Sequence, residues 1–446
     1  MNGSHVAGIL AKYTPQAVRV PAGVRVERSF AGFEIGDEIR ALCDRTTIFC
    51  DVFRAPNSDE VVCIGPPFLD FGYPRAVRLF GRRRRFVVEE APWGPGRMSI
   101  LRVIGTSDVN AAGNPNVNLQ VDFPEFGIDV QVRLPGAPPP RPHVALTLAT
   151  VQKDNERQWL DDWCAWHHRV HGVGRFVIYD NGSADRDDVY AELASRVKGA
   201  AFIVVNWDYL YGPPALTGLK FAQTVALNHC RLLFGPYTDW CINLDVDEYL
   251  FNAASRPLAT CLGQMRKAHV YLPSYIVPMA VDNSPGRCFD SPFRSRNLQF
   301  ERGRKYLYRP ARTSFNNVHD VVPRRRWVSR WTRTAVKRVL RVFGVDPGRF
   351  LAAVRRIAAW LTPHPAGRPG QGDANGSEEP TLFFFHFRAL NTGWKFPRRV
   401  VPVHPDGHVR DERIAAMRAI VDSRHRQPDR DAVPYPALSG DSGSVT

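Results

Sequence analysis

Residues 144–151 read VALTLATV and residues 174–179 read GRFVIY, two apolar runs separated by a helical pattern over 156–172. A strand, a helix and a second strand in that order form a β-α-β unit, in which the two strands lie parallel in one sheet. The alternation continues beyond this unit. Further elements are predicted as a helix over 187–197, a strand over 201–207, a helix over 219–234 and a strand over 240–244. The sequence therefore predicts an α/β fold with a largely parallel sheet, whose ligands bind at the carboxyl ends of the strands.

Polar side chains follow three of the predicted strands. They lie at 153–156, 180–185 and 245–248, and the last stretch holds three carboxylates within four positions. Asp245 and Asp247 are two residues apart, so on an extended chain they point to the same side, where their oxygens can share one divalent cation. Taken singly, each stretch is more often a solvated turn or a helix cap. Because all three fall at the same edge of one sheet, we expect them to form one site for a nucleotide and a metal ion.

The composition changes along the chain and predicts several regions. Short β-rich runs with Pro and Gly turns over 18–134 indicate an antiparallel β domain, and the proline-rich segment 135–143 indicates a linker. The remaining regions are predicted as the α/β catalytic domain over 144–322, a basic amphipathic helical insert over 323–360, a disordered linker over 361–380, a C-terminal part of the α/β domain over 381–402 and a disordered tail over 426–446.

The charge of the chain favours an anionic partner. Lys and Arg number 59 against 44 Asp and Glu, and much of the excess lies in 323–360, which holds eleven Lys and Arg and a single Asp. Apolar residues recur through that segment at helical spacing. The pattern is typical of a helix on an anionic membrane surface, although a helix packed on the protein with a solvated basic face also fits it. Nucleic acid is the least favoured partner, because the chain has no recognisable nucleic-acid-binding motif.

The eight cysteines form no CxxC pair and no zinc-like spacing, which indicates reduced thiols rather than a disulfide framework. The first 30 residues lack a long apolar stretch, and no run in the chain reaches the roughly 18 apolar residues of a membrane span. We therefore expect a cytoplasmic protein, peripheral on the inner face of the membrane if the basic insert binds lipid.

Several motifs together resemble a known enzyme family. They are VQKDNERQWLDDW at 151–163, GVGRFVIYDNGSAD at 172–185, LDVDEYL at 244–250, RKYLYRP at 304–310 with His319 following, and HFR at 386–388. This set resembles glycosyltransferase family 92 and the related family 2 enzymes. The resemblance covers about 144–320 and 381–400, and it implies a GT-A fold, a Rossmann-like and largely parallel sheet.

The resemblance implies an enzyme that moves a sugar from a nucleotide-diphospho-sugar, a UDP-sugar by preference, to a glycan or lipid-linked acceptor. It implies that Asp245 and Asp247 hold Mn²⁺ or Mg²⁺ against the donor diphosphate, with His319 preferred over His386 as a third ligand. The implied nucleotide-sugar contacts are Lys153, Asn155, Glu156, Asp180, Asn181, Ser183, Asp185, Lys305 and Arg309.

An inverting transfer requires a carboxylate that removes the proton of the acceptor hydroxyl. The candidates for this base are Asp282, Asp290, Glu248 and Glu301. Glu248 is equally compatible with a supporting role beside the metal ligands. Two other functions remain open from the sequence: a metal-dependent phosphohydrolase or nuclease that uses the same carboxylates, and a basic membrane or nucleic-acid adaptor without catalysis.

Overall fold

We describe a computed structural model of the 446-residue chain. The residues that the structure describes are 9–21, 36–68, 73–90, 98–106, 117–124, 128–134, 141–212, 221–254, 256–278, 289, 291–300, 304–324, 380–387 and 406–423. The predicted linker 135–143, basic insert 323–360 and second linker 361–380 lie almost wholly outside these residues, and the predicted tail 426–446 lies entirely outside them.

The N-terminal third consists of short strands and one short helix. In order these are β1 (Ile9–Tyr13), β2 (Val18–Arg19), α1 (Asp37–Ala41), β3 (Thr47–Phe49), β4 (Asp51–Arg54), β5 (Glu60–Gly65), β6 (Ala76–Leu79), β7 (Arg82–Arg83), β8 (Arg85–Glu90), β9 (Ser99–Ile104), β10 (Val117–Phe123) and β11 (Ile128–Leu134). Two four-stranded antiparallel sheets form, in the orders β4-β5-β9-β8 and β11-β10-β6-β7. The antiparallel pairing predicted for this region is present, while its status as a separate domain over 18–134 stays a prediction.

The rest of the described chain alternates strands and helices. In order these are β12 (Val144–Gln152), α2 (Arg157–His171), β13 (Arg175–Asp180), α3 (Arg186–Arg196), β14 (Ala201–Asn206), α4 (Phe221–His229), β15 (Thr238–Asn243), β16 (Glu248–Asn252), α5 (Leu258–Gln264), β17 (His269–Leu272), β18 (Ser274–Ile276), β19 (Phe293–Ser295), β20 (Lys305–Tyr308), β21 (Thr313–Asn316), β22 (Val321–Pro323), β23 (Leu382–His386), β24 (His408–Arg410) and α6 (Glu412–Asp422). Helix α4 continues into a π-helical turn over Cys230–Phe234.

A seven-stranded sheet with the order β1-β14-β13-β12-β15-β20-β17 forms the centre of the molecule. The first five strands of that order are parallel, and β20 and β17 are antiparallel to their neighbours. Apolar clusters cover both faces, one around α2 and α3 and the other around α4. Near-continuous apolar strands such as β13 follow from this, because a sheet covered on both faces has no solvent-facing side. The predicted α/β class with a largely parallel sheet is confirmed.

The N-terminal strands are tied to this sheet in a way that the sequence did not indicate. Strand β1 pairs in parallel with β14 as an edge strand. A buried polar network adds to this contact: the carboxylate of Asp51 accepts a hydrogen bond of 2.7 Å from the Tyr13 hydroxyl, and it lies 2.8 Å from Nε2 of His229 on α4. The Nδ1 atom of His229 lies 2.7 Å from the hydroxyl of Tyr179 on β13. These bonds hold the N-terminal part against the carboxyl ends of the parallel strands.

A small three-stranded sheet, β16-β23-β18, carries the acidic stretch that follows β15. Its outer strand β16 docks on α2 through ring nitrogens. Trp163 Nε1 donates to the Glu248 carbonyl at 3.0 Å, and His171 Nε2 lies 2.7 Å from the Leu250 carbonyl. The Leu250 amide donates to His167 Nε2 at 3.2 Å. Because these backbone amide and carbonyl groups of β16 are paired with ring nitrogens, the backbone that carries the acidic residues is fixed in position.

His171 should make the protein sensitive to acid. Burial lowers the pKa of His171 from 6.5 to about 4. The unfolded chain therefore binds this proton at a higher pH than the folded one, so the free energy of unfolding falls as the pH drops from 6.5 to 4 and levels off below. We expect His171→Gln, whose amide can still donate to the Leu250 carbonyl, to reduce that fall by about 3 kcal/mol in urea titrations. The exposed His143→Gln variant is the matched control, and equal pH slopes for both variants would refute the assignment.

In the described residues, no helix is long and apolar enough to cross a bilayer.

Candidate functional site

The carboxyl ends of the parallel strands meet at one edge, as the sequence predicted. The pairing aligns Gln152 of β12 with Asp180 of β13, and Asp180 with Asn206 of β14. On the other side of β12, Ala149 is aligned with Asn243 of β15. The turns that leave these strands therefore lie side by side, and they contain most of the polar residues singled out in the sequence.

Asp180 organises the turn after β13. Its Oδ1 accepts hydrogen bonds from the amides of Gly182 and Ser183 at 3.1 and 2.8 Å. Its Oδ2 accepts one from Gln152 Nε2 at 2.6 Å and one from the hydroxyl of Tyr190 on α3. Asp180 is fully buried and both of its oxygens accept hydrogen bonds within the turn, which argues against the predicted direct contact of its carboxylate with a nucleotide. That contact stays a prediction. Gly182 is required there, since its φ is +82°.

The turn after β12 is bonded to the turn after β13. The Asp154 amide donates to Ser183 Oγ at 2.9 Å, and the Asp154 carboxylate accepts from the Ala184 amide at 3.2 Å. Asn181 is also engaged, because its Nδ2 donates to the carbonyls of Trp207 and Tyr209 beyond β14. Three consecutive strand ends thus form one connected rim. Of the other predicted contacts on this rim, Asn155 is half-buried, and Glu156 and Asp185 are exposed.

A cavity of about 750 Å³ opens beside this rim. Lys153, Asn181 and Gly182 line it from the sheet, and Arg19 and Arg45 line it from the N-terminal part. The carboxylates of Asp44 and Asp208 also line the cavity, so its five charged side chains leave a small positive excess, which favours an anionic ligand. Sequence reasoning missed Arg19 and Arg45, since neither belongs to a motif and their approach depends on the docking of the N-terminal strands.

The acidic stretch after β15 contains a buried ion-pair network. Lys305 Nζ, on β20, lies 3.0 Å from Asp245 Oδ2 and 3.0 Å from Glu248 Oε2. Glu248 Oε2 also accepts a hydrogen bond of 2.7 Å from the Asp245 amide. Burial opposes the charge of Lys305, but the two carboxylates outweigh burial and raise the pKa of its amine above the ordinary value. The amine is buried against carboxylates, which argues against the predicted phosphate contact of Lys305, and that contact stays a prediction.

Asp247, Glu248 and His386 form a group whose ligand atoms all lie within 4.8 Å of one another. Cross-strand pairing produces the group, because Glu248 on β16 is directly aligned with His386 on β23. His386 Nε2 lies 3.5 Å from Asp247 Oδ2, and both side chains are partly exposed. Two carboxylates and an imidazole are ligands that Mn²⁺ accepts. Burial raises the pKa of Glu248 to about 7, with Lys305 opposing and the neighbouring aspartates adding to the rise.

The structure brings His386, rather than the preferred His319, next to the carboxylates. His319 is exposed, and its Nδ1 lies 3.0 Å from the Arg304 carbonyl. The signal for His386 was a single histidine in the apolar strand FFFHF, which the sequence alone could not distinguish from a core residue. Geometry favours His386 as the third ligand, and the choice stays a prediction.

Arg309 does not reach the site. Strand β20 runs antiparallel to β15, so Lys305 lies near the carboxyl end of β15 and Arg309 lies towards its amino end. Its guanidinium donates to the carbonyls of Leu262 and Met265 at 3.1 and 3.0 Å and covers the Trp240 ring. These contacts argue against the predicted contact of Arg309 with the donor, which stays a prediction. The base candidates Asp282, Asp290 and Glu301 lie outside the described residues.

The rim and the acidic stretch lie in a part of the chain that is similar to a known family. The sequence model of glycosyltransferase family 92 matches residues 150–337. The matched region, here called the family 92 segment, covers less than half of the chain. A curated family 92 glycosyltransferase of Ricinus communis is 27% identical over 150 residues, which is 33% of this chain and 23% of that relative. The match thus spans less than a quarter of the relative's length.

Solved structures resemble the chain only weakly. S. aureus TarS 1–349 aligns with a TM-score of 0.23 and 14% identity, covering 38% of this chain and 48% of that one. The galactosyltransferase LgtC in complex with donor and acceptor sugar analogs aligns with a TM-score of 0.27 and 12% identity, covering 64% of this chain and 98% of LgtC. At these scores the assignment rests on the family 92 match and on the geometry of the site.

Asp180→Asn should destabilise the fold even though it changes one atom. An amide can accept hydrogen bonds only at its oxygen, so its NH₂ group would face either two backbone amides or the donors of Gln152 and Tyr190. We expect a loss of about 2–3 kcal/mol in the free energy of unfolding, measured with urea. Asp185→Asn, at an exposed position five residues on, should stay within about 0.5 kcal/mol. Equal midpoints for the two variants would show that Asp180 does not hold the turn.

Proposed function

We propose that the chain is a metal-dependent glycosyltransferase that uses a nucleotide-diphospho-sugar. The observation that carries the proposal is the group Asp247, Glu248 and His386 at the carboxyl end of a parallel sheet, inside and beside the family 92 segment. A rim built from three strand ends and a cationic cavity lie at the same sheet edge. This arrangement supports a GT-A type of donor site, with the diphosphate between cavity and carboxylates.

The charge of the acidic group fits a divalent cation. Asp245, Asp247 and Glu248 carry three negative charges when ionised, and Lys305 offsets one of them. Two formal charges are left, which one Mn²⁺ or Mg²⁺ would balance. Asp247 and His386 are the ligands we assign, because their side chains are partly exposed. The third member of their group, Glu248, is buried against Lys305, so Asp245, which also pairs with Lys305 but is 28% exposed, is the third candidate. When bound, the cation would offset the negative charge that develops on the leaving diphosphate.

Other residues at this sheet edge contribute to donor binding. Lys153, Arg19 and Arg45 supply positive charge to an anionic donor in the cavity. Asn181 and Gly182 present a turn that the Asp180 hydrogen bonds hold rigid. Because the turn and the charges are already held in place, less conformational entropy is lost when the donor binds.

Glu248 is the one described residue among the base candidates, and we assign it a positioning role. It is buried and paired with Lys305 and the Asp245 amide, so its carboxylate has no path to an acceptor hydroxyl. An inverting transfer would take its base from Asp282, Asp290 or Glu301. Both the inverting outcome and a glycan or lipid-linked acceptor are parts of this proposal that follow from the family resemblance.

A thermal-shift screen tests the donor class. The protein is melted with UDP-sugars, GDP-sugars and sugar phosphates, each with Mn²⁺ and with chelator. A donor that binds the folded state raises the melting temperature by mass action, and the proposal predicts a rise for at least one nucleotide-diphospho-sugar only when Mn²⁺ is present. Stabilisation by polynucleotide or simple phosphoesters instead would favour the phosphohydrolase alternative.

A further inference from the structure

A hairpin on the N-terminal sheet concentrates arginine around an exposed aromatic ring. Strands β6 and β7 are joined by the two-residue turn Phe80-Gly81. Arg78 is aligned with Arg83 directly across the hairpin. Arg82 and Arg83 are exposed, and the ring of Phe80 at the tip is 41% exposed.

Among the described residues, four arginines at this hairpin differ from other arginines of the region in having no acidic partner. On the neighbouring sheet, Arg102 forms ion pairs with both Glu60 and Glu89. Within the part of the chain that the structure describes, no carboxylate pairs with the side chains of the hairpin group. That group consists of Arg78, Arg82, Arg83 and, at the start of β8, Arg85. Like charges directly across a hairpin are destabilising, so the arrangement opposes folding unless an anion approaches it.

The tip of the hairpin is strained in a way that exposes the ring. Phe80 has φ of +53° and Gly81 has φ of +71°, the pair of positive values that a type I′ turn requires. Asn is the favoured residue at the first of these positions, and a bulky side chain there is an outlier. An unfavourable residue kept at an exposed position points to a contact outside the protein.

We propose that the hairpin 76–85 docks on an anionic phospholipid bilayer, with Phe80 in the interface and the arginines on lipid phosphates. Exposed aromatic and cationic side chains on one surface are the combination that binds the boundary between headgroups and acyl chains. Each arginine near an anionic membrane adds a favourable charge contact. A two-residue turn has no cleft of its own that could enclose a polysaccharide, so a membrane fits the tip better than a soluble polyanion.

Charge replacement in the full chain provides the first test. Arg82→Ser with Arg83→Ser should weaken binding to vesicles containing phosphatidylglycerol roughly 30-fold, about fivefold for each charge. The matched control removes two exposed arginines that already have acidic partners, Arg157 paired with Glu192 and Arg410 paired with Glu412. This control should change binding by less than about twofold, because its positions lie outside the hairpin that the proposal places on the membrane and charges away from the contact are screened. An equal loss of vesicle affinity in the two double variants would mean that only the net charge of the protein matters, and the proposal would fail.

Phe80→Asn separates docking from folding. Asn tolerates the left-handed conformation, so the variant should melt at a higher temperature than the wild type while losing affinity for anionic vesicles. A purely structural role for Phe80 predicts that stability and binding change in the same direction, or that binding is unaffected. Either result would overturn the proposal.

A fluorescent label at the tip reports on the hairpin itself, independently of the segment 323–360. Phe80→Cys, in a background that carries Cys261→Ser and Cys288→Ser, is labelled with an environment-sensitive dye. We expect its emission to shift to the blue with phosphatidylglycerol vesicles and to stay unchanged with phosphatidylcholine vesicles or heparin. A response to heparin alone would identify an acidic polysaccharide as the partner and contradict the membrane assignment.

Discussion

Asp247→Asn should lower the turnover of the nucleotide-sugar donor by about 100-fold or more, since it removes a charged ligand from the group that we assign to the cation. The change leaves the fold intact, because the Asp247 side chain is partly exposed and Asn has the same shape. Donor hydrolysis or sugar transfer in the presence of Mn²⁺ measures the effect.

Asp239→Asn is the matched control for this variant. Asp239 lies on β15 near the amino end of the strand, where it is exposed and within 3.2 Å of His143. Its replacement should leave turnover within about twofold, as expected for a surface site away from the chemistry. Undiminished turnover in Asp247→Asn, or an equal loss in the control, would remove the carboxylates from the mechanism.

Lys305→Met should lower the free energy of unfolding by about 3–5 kcal/mol, because it leaves two carboxylates next to a buried apolar side chain. Lys305 is 1% exposed and 3.0 Å from both Asp245 and Glu248. Urea titration at neutral pH measures the loss. Lys12→Met removes an exposed lysine that pairs with Asp187, and it should cost less than about 1 kcal/mol.

A double variant shows whether the loss comes from the uncompensated charge. Glu248→Gln removes one of the two carboxylates, so Lys305→Met combined with Glu248→Gln should recover about 1–3 kcal/mol relative to the sum of the single variants. Strict additivity would mean that the lysine acts through packing alone. The account of Lys305 as a built-in counter-ion would then be wrong.

The sequence predicted the positions of residues that depend on hydrophobic periodicity and on the order of the strands. Apolar runs such as 144–151 and 174–179 predicted the parallel strands and hence the shared edge at which Asp180 and Asp245 lie. Local sequence could not tell which polar atoms at that edge face a ligand. The type and position of Asp180 and Lys305 made them candidate ligand contacts. Both are nevertheless buried by contacts with residues that are distant in sequence.

Long-range pairing explains the other differences. His386 reaches Glu248 through the antiparallel alignment of β16 and β23, two strands more than 120 residues apart in the chain. Arg45 reaches the cavity because β1 and Asp51 dock the N-terminal part on the central sheet. The position of Arg309 depends on β20 being antiparallel, which a pattern of alternating strands and helices does not reveal. Contacts of this kind depend on the assembled sheet rather than on any local motif.

Calorimetric titration of UDP into the protein tests the central claim most directly. The account predicts that UDP binds at least about tenfold more tightly in Mn²⁺ than in chelator, and that Asp247→Asn abolishes this difference while Asp239→Asn preserves it. Equal affinity with and without the cation in the wild type, or a Mn²⁺ effect that survives in Asp247→Asn, would contradict a metal-dependent donor site at this sheet edge.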